Sequence, residues 1–144
     1  NLKKKNTLLT GNKNKILRLN KKFNLNLLIV YPKLICSTKF IYEKNKKMTK
    51  MEPFSSFYIR NNNKLINYLK KENNDLEETV IKIYPKVEKI IECIKSQNGC
   101  YLSRITGSGS ACIGIFSKMS YAIDAKKILK LKYPKYWCVT SKTI

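Results

Sequence analysis

The sequence contains no histidine, and only nine acidic residues stand against thirty basic ones. Without histidine, the chain can form neither a Cys-His nor a Ser-His-Asp nucleophile. Its five cysteines lack C-x-x-C spacing, so we expect ordinary buried thiols of a reducing compartment and no metal site. No apolar run reaches 18 residues and no signal-peptide core follows the start, which predicts a cytoplasmic protein without a membrane span.

Arginine is also scarce, because 27 of the 30 basic residues are lysine. The chain holds 15 asparagines and 17 isoleucines as well, and all three favoured residues have A/T-rich codons. A low-GC genome favours lysine codons in all of its proteins, so the net charge of +21 can arise from codon usage alone. Arginine is the residue preferred for phosphate and base recognition, so its scarcity argues against a nucleic-acid partner. A small basic RNA-binding α/β module stays as an alternative.

Glycine is the third scarce residue, and three of the five glycines fall within residues 104–116. The flanking segments 101–105 and 111–116 are short, apolar and β-prone, which predicts two antiparallel strands with Gly107 to Ser110 at the turn. Such a hairpin could shape a nucleotide pocket or bind no ligand at all. The remaining alternative is a phosphate loop that opens a helix at Ser110, which the β-prone residues after the glycines disfavour.

The rest of the pattern predicts a single α+β domain. Apolar stripes and turn residues predict a buried strand, several helices, the hairpin, a helix and a last strand. This β-α-β-β-α-β order implies an antiparallel four-stranded sheet with helices packed on one face. The predicted strands are 26–31, 101–105, 111–116 and 136–140. Three shorter helices are predicted at 39–42, capped by Ser37-Thr38, at 64–70, and at 76–83, capped by Asp75. Two longer helices follow: one runs from Pro85 to Gly99 with Val87, Ile90, Ile91 and Ile94 inward, and one is capped by Ser120 with Tyr121, Ala122, Ala125, Ile128 and Leu129 inward.

Four blocks of the sequence carry a resemblance to a known family. They are Val30-Tyr31-Pro32 followed by Ser37-Thr38, then Asn74-Asp75-Leu76-Glu77, then residues 103–112, then Tyr133-Pro134-Lys135-Tyr136-Trp137. In this order they resemble the C-terminal domain of the 4-diphosphocytidyl-2-C-methyl-D-erythritol kinases, which are GHMP-type small-molecule kinases. The third block with its leading arginine and the Asn-Asp-Leu-Glu block are together fairly specific to this family. The resemblance covers about residues 27–144.

The resemblance implies a function and a set of supporting residues. A member of this family uses ATP and Mg²⁺ to phosphorylate the 2-hydroxyl of a cytidyl-erythritol, a step of non-mevalonate isoprenoid biosynthesis. The segment from Thr106 to Ala111 matches the third GHMP motif, which packs beside the phosphate-binding loop and helps to set its conformation. Its nucleotide-loop support residues are Thr106, Gly107, Ser108, Gly109 and Ser110.

Tyr42 and Thr38 are the substrate-binding residues that the resemblance implies. The Tyr42 ring would stack on the cytosine, a contact worth about 1–3 kcal/mol per base; the alternative is an aromatic that closes the hydrophobic core. Arg104 could reach a phosphate or pair with a helix-borne glutamate, and we favour the structural role. Asp75 and Glu77 are expected to be helix-start residues rather than catalytic carboxylates.

The family's phosphate-binding loop, its lysine near the reacting hydroxyl and its catalytic aspartate lie in an N-terminal half that nothing in this sequence matches. We therefore assign no catalytic residue. Since the chain begins at Asn1, we expect residues 1–26 to be a lead-in from that half and residues 27–144 to be the domain. The expectation is a truncated or pseudogene-like product that is inactive alone and prone to self-association. A fragment of another GHMP kinase, for homoserine or mevalonate, stays as an alternative.

Overall fold

The computed structural model describes residues 7–10, 15–18, 22–47, 49, 59 and 61–143. Within these ranges the chain forms six strands and five helices. In chain order they are β1 (Thr7–Thr10), β2 (Lys15–Arg18), β3 (Asn26–Tyr31), α1 (Thr38–Lys44), α2 (Asn62–Lys71), α3 (Glu77–Ile83), α4 (Pro85–Lys95), β4 (Cys100–Ile105), β5 (Cys112–Phe116), α5 (Met119–Lys132) and β6 (Trp137–Lys142).

Strands β3 to β6 form one antiparallel sheet in the order β4-β5-β3-β6. The apolar strand β3 lies inside this sheet, where Val30 is opposite Cys112 of β5 on one side and Cys138 of β6 on the other. This position explains its continuous apolar sequence, because a strand with neighbours on both sides and a covered face has few positions for polar residues. The predicted four-stranded α+β fold and the predicted hairpin are confirmed.

The main core lies between one face of the sheet and the helices α1, α3, α4 and α5. Leu28, Val30 and Phe116 are buried on this face of the sheet. Burying a side chain of this kind contributes about 1.5–3 kcal/mol. The stripe predicted on α4 is confirmed, since all four of its apolar residues are buried. The core residues on the helices are Ile41, Val80, Val87, Ile90, Ile91, Ile94, Ala122, Ala125 and Leu129, and Leu76, the N-cap of α3, joins them.

Helix α2 belongs to a second, smaller cluster. Its Ile66 packs with Leu25 and Ile115, and Leu27 and Leu102 lie against this group. Because successive side chains of a strand point to opposite faces, Leu27 lies on the face away from Leu28 and the main core. The expectation of helices on one face thus holds for four of the five described helices, while α2 covers the opposite face.

The sequence pattern predicts no regular element before residue 26, but the antiparallel pair β1 and β2 lies there. Each of these strands has only four residues between Lys/Asn clusters, which is too short for a clear period. The end of the lead-in also joins the domain. Phe23 and Leu25 are buried, and Thr143 Oγ1 accepts a 2.8 Å hydrogen bond from the Leu25 amide.

Helix α5 differs from its prediction in two respects. It begins at Met119 with Lys118 at the N-cap and no side-chain capping bond, so the prediction that Ser120 caps it was wrong. Ile128 was expected to point inward, yet it is 46% exposed, whereas Leu129 is fully buried. Ala122, Ala125 and Leu129 follow the i, i+3, i+7 spacing of one helix face, and Ile128 lies about 100° away from Leu129. No described helix combines the length and the apolar character needed to cross a bilayer.

Candidate functional site

The six residues from Thr106 to Ala111, which we call the glycine loop, connect β4 to β5. The Thr106 amide donates to the Ala111 carbonyl at 2.8 Å, and the Gly109 amide donates to the Thr106 carbonyl at 3.0 Å. Gly107 and Gly109 have φ values of +54° and +78°, in the left-handed region that favours glycine. A strand follows the loop at Cys112, so the alternative of a phosphate loop that opens a helix at Ser110 is wrong.

The segment before α1 and the first residue of α1 hold one side of the glycine loop. The hydroxyl oxygens of Thr38 and Ser108 share a hydrogen bond of 2.9 Å, although 70 residues separate them in sequence. Ser110 is buried, and its hydroxyl donates to the Leu34 carbonyl. Ser37 caps α1 as predicted, since its hydroxyl accepts a bond from the Phe40 amide. The structure therefore brings a predicted substrate-binding residue into contact with the predicted loop.

Helix α3 and the residues before it hold the other side of the glycine loop. The Asn74 side chain donates to the Gly107 carbonyl at 2.8 Å and accepts a bond from the Leu76 amide at 3.1 Å. Glu77, the first residue of α3, accepts a bond from the Ile105 amide at 2.8 Å. These contacts join the Asn-Asp-Leu-Glu block to the Gly-rich block. Sequence reasoning missed the role of Asn74, and the only signal for it was its place in that block.

The prediction that Asp75 caps α3 was wrong. The N-cap position is Leu76, which makes no side-chain capping bond. The Asp75 carboxylate instead accepts bonds from the amide of Thr49, at 2.8 Å, and from its hydroxyl. These bonds lower the pKa of Asp75 below its ordinary value, because they favour the charged form. Asp75 thus links Thr49 to the start of α3, and Glu77 has the structural role expected of it.

Tyr42 lies on the surface of α1, where its side chain is 64% exposed. It follows Thr38 by four residues, so both side chains lie on the same face of the helix. The alternative in which Tyr42 closes the hydrophobic core is wrong at this exposure. We call Thr38, Tyr42 and Ser108 the α1–loop surface, because Thr38 bonds Ser108 of the glycine loop and Tyr42 is exposed one turn further along α1.

Arg104 is half-buried, and its guanidinium donates to the carbonyl of Leu69 near the end of α2. Its partner is therefore a backbone oxygen rather than the carboxylate of a helix-borne glutamate. Burial lowers the pKa of Arg104, and the charges of Glu77 and Glu72 oppose this shift. The contact joins the edge strand β4 to α2, which supports the structural role over a phosphate contact.

Two further features define the chemistry available near the loop. In the part of the chain that the structure describes, the amides of Gly107 and Ser108 donate to no other residue. The same part contains no group of three or more His, Cys, Asp or Glu residues that could hold a metal ion. The five cysteines are free, and burial raises the pKa of the Cys112 thiol to about 12. The site thus offers hydrogen-bond donors and an aromatic ring.

Comparison with known proteins supplies the family. The chain is 34% identical over 128 residues to the 4-diphosphocytidyl-2-C-methyl-D-erythritol kinase of Wolbachia pipientis wMel, a match that covers 86% of this chain and 43% of that protein. The kinase of the same name from Pelagibacter ubique is 29% identical over 126 residues, with 85% of this chain and 43% of that protein covered. The chain therefore spans less than half the length of these curated relatives.

Solved structures share the fold. A 4-(cytidine 5'-diphospho)-2C-methyl-D-erythritol kinase superposes with a TM-score of 0.62 at 18% identity, over 87% of this chain and 45% of that one. The homoserine kinase of Cytophaga hutchinsonii superposes with a TM-score of 0.65 at 11% identity, over 96% of this chain and 47% of that one. The family described as "GHMP kinases C terminal" matches residues 57–135, more than half of the sequence. The chain belongs to the GHMP kinase C-terminal domain family.

Proposed function

We propose that this chain is the C-terminal part of a cytoplasmic, ATP-dependent kinase that phosphorylates the 2-hydroxyl of 4-(cytidine 5'-diphospho)-2-C-methyl-D-erythritol. The observation that carries the proposal is the hydrogen bond between Thr38 and Ser108. It joins the start of α1, where Tyr42 is exposed one turn later, to the glycine loop. A residue suited to bind the cytosine and a loop suited to support the nucleotide thus lie on one surface.

Tyr42 is the residue that would select a cytidine substrate. A flat, exposed ring can stack on a base at about 1–3 kcal/mol. Homoserine and mevalonate have no base, so a kinase for either of them would gain nothing from this ring. The curated relatives named for the cytidyl substrate therefore support the proposal better than the structural likeness to the homoserine kinase does, since that likeness shows only the fold. Membership in the kinase family likewise favours this function over an RNA-binding module.

The glycine loop fits a supporting role toward ATP. The amides of Gly107 and Ser108 donate to no described residue, and unpaired loop amides favour a nearby anion. ATP would supply the phosphoryl group that is transferred. No group of three or more His, Cys, Asp or Glu residues in the described part could by itself hold the Mg²⁺ that accompanies ATP. The contribution of this chain is therefore to hold the substrate base and to set the loop, and phosphoryl transfer depends strongly on such positioning.

A chimera tests this proposal directly. Residues 22–144, which include the buried Phe23 and Leu25, would be joined to the N-terminal part of the Wolbachia wMel relative, and product formation would be measured with Mg-ATP and the cytidyl-erythritol substrate. We expect the chimera to phosphorylate this substrate. Preference of the folded chimera for homoserine or mevalonate would refute the proposed substrate. The 144-residue chain alone should show no turnover, and a rate of about 1 s⁻¹ or more would contradict our view of its role.

In the same chimera, Tyr42→Ala should raise KM for the cytidyl substrate by about 5- to 150-fold, as expected from a lost stacking energy of about 1–3 kcal/mol. Because stacking is equal in the ground state and the transition state, kcat should change little. Tyr42→Phe keeps the ring and is the matched control, so it should change KM by less than about threefold. Equal KM values for the alanine and phenylalanine variants would exclude stacking at this position.

A further inference from the structure

A cavity of about 290 Å³ lies between α1 and α3. Phe40 and Ile83 supply apolar surface, and the side chains of Asn45 and Thr79 supply polar groups. The hydroxyl of Thr79 donates to the Asn45 side-chain oxygen at 2.9 Å, which links the two helices. This volume is at the small end for ligand sites, which are typically about 300–1,000 Å³. It suits one ring with a single charged group rather than a whole nucleotide.

The cavity has an excess of positive charge. Among the described residues its lining includes Lys44, Lys46, Lys47 and Lys82 and one carboxylate, that of Glu78. Glu78 already lies 2.8 Å from the Lys82 ammonium and 3.6 Å from that of Lys47. Among the residues that the structure describes, Lys44 and Lys46 have no carboxylate partner. A dianionic group such as a phosphate would reduce this excess of three positive charges to one.

An aromatic ring lies next to this charge. Phe40 is exposed, and the Lys44 ammonium lies 5.6 Å from the centroid of its ring. The ring and the ammonium together can bind a flat apolar group that carries an anion. Phe40 precedes Tyr42 by two residues, which places the two rings about 200° apart around α1. The cavity is therefore separate from the α1–loop surface.

Both walls of the cavity also hold the glycine loop. Helix α1 contacts the loop through Thr38 and Ser108. Helix α3 contacts it through Val80, since a Cβ added at Gly109 would lie 3.1 Å from Val80 Cγ1. A ligand that changes the spacing of α1 and α3 would act on the glycine loop through these two contacts. The loop amides of Gly107 and Ser108 would report such a change.

We propose that the cavity between α1 and α3 is a second binding site, for a small aromatic phosphate monoester, and that its occupation alters the glycine loop. The site is independent of the proposed kinase activity, because its residues are not those of the α1–loop surface. It would allow a small metabolite of this chemical class to change how the loop supports a nucleotide.

The test uses phenyl phosphate as the probe, with the ¹⁵N-labelled full chain followed by NMR and no ATP or kinase substrate present. We expect saturable shifts of the Lys44 and Thr79 amides, followed at the same ligand concentration by shifts of Gly107 and Ser108. Inorganic phosphate provides the charge without the ring, and benzyl alcohol provides the ring without the charge. Each should bind at least about tenfold more weakly than phenyl phosphate if both contacts contribute.

Lys46→Glu and Lys89→Glu form the matched pair of variants. Both residues are exposed lysines and both variants change the net charge equally, but Lys89 lies on α4 outside the cavity. Lys46→Glu should raise the Kd of phenyl phosphate at least fivefold, on the order expected for one lost charge contact, and Lys89→Glu less than twofold. Phe40→Ala should weaken phenyl phosphate and leave inorganic phosphate unchanged.

Each other outcome overturns part of the proposal. If both lysine variants raise the Kd of phenyl phosphate equally, the anion is attracted only by the net charge of the chain. Equal Kd values for inorganic phosphate and phenyl phosphate would lead to the same conclusion. Saturation of the Lys44 and Thr79 amides without shifts at Gly107 and Ser108 would remove the coupling to the loop. Lys46 has no described structural contact, so Lys46→Glu should leave the fold intact. It therefore tests binding at the cavity even if Phe40→Ala lowers stability.

Discussion

At the scale of single residues, Gly107 and Gly109 have the same backbone requirement but different surroundings. Both have positive φ, which costs other L-residues about 1–2 kcal/mol. Nothing lies within 4 Å of a Cβ added at Gly107, whereas at Gly109 the added Cβ would lie 3.1 Å from Val80 Cγ1. Gly109 therefore has to satisfy both a backbone and a packing constraint.

We expect Gly107→Ala to lower the free energy of unfolding by about 1 kcal/mol and Gly109→Ala by about 2–4 kcal/mol, because the second substitution adds overpacking to backbone strain. Urea unfolding followed by circular dichroism measures both values. Gly107→Ala serves as the control for the backbone cost alone. Equal losses at the two positions would mean that Val80 moves away freely and that α3 does not hold the loop.

Asp75 provides a prediction on pH. Its hydrogen bonds to Thr49 lower its pKa below the ordinary 3.8, so its folded form favours the carboxylate. The stabilisation is therefore present above the pKa of the unfolded chain and is lost as the pH falls through the lower pKa of the folded chain. In Thr49→Ala, the ¹³C-detected titration midpoint of Asp75 should rise toward 3.8. Thr79→Ala, which removes a hydroxyl bonded to Asn45 instead, should leave that midpoint unchanged.

The residues of the site show what the sequence could provide and what it could not. Resemblance placed Thr38, Tyr42 and the glycine loop in one family pattern, and the structure brings Thr38 and Ser108 into contact. The partner of Asp75 was not predictable from local rules, because Thr49 lies 26 residues away and its contact depends on the folded chain. The N-cap rule considers only the three residues that follow a candidate cap, so it assigned Asp75 to α3, the helix that begins just after it.

At the scale of elements, periodicity predicted helices and strands well wherever a full apolar stripe was present. Helix α4 has such a stripe and begins at Pro85 as expected. Helix α5 has its small alanines on the buried face and Ile128 on the exposed side, so hydrophobicity alone indicated too wide a stripe. The strands β1 and β2 were missed because four residues cannot establish a period.

Ile128 and Leu129 test the orientation of α5. Leu129 is fully buried in the main core, so Leu129→Ala should lower the free energy of unfolding by about 2–5 kcal/mol. Ile128 is nearly half exposed, so Ile128→Ala should lower it by less than about 1.5 kcal/mol. Chemical denaturation of the two variants gives the comparison. A larger loss of stability for Ile128→Ala than for Leu129→Ala would show that the face of α5 that carries Ile128, rather than the one that carries Leu129, packs against the sheet.

At the scale of the whole molecule, two forces on self-association oppose each other. The net charge of +21 makes copies of the chain repel one another, whereas exposed apolar side chains attract one another. The isoleucine at position 35 is 86% exposed in the segment between β3 and α1, next to Leu34, which accepts a bond from Ser110 of the glycine loop. Trp137 is exposed on the edge strand β6, opposite Tyr31. The repulsion between like charges is long-ranged and sensitive to salt, whereas the attraction between apolar surfaces is not.

We therefore expect the 144-residue chain to self-associate as salt is added, because the Debye length falls from about 10 Å at 0.1 M to about 3 Å at 1 M. Light scattering across this range measures the mean mass. Ile35→Ser should abolish the association if the surface beside the glycine loop is responsible. Leu131→Ser is the matched control, since Leu131 is 84% exposed on α5. A chain that stays monomeric at 1 M salt and unfolds cooperatively at about 45–65 °C would instead be a self-sufficient domain with no surface that needs a partner.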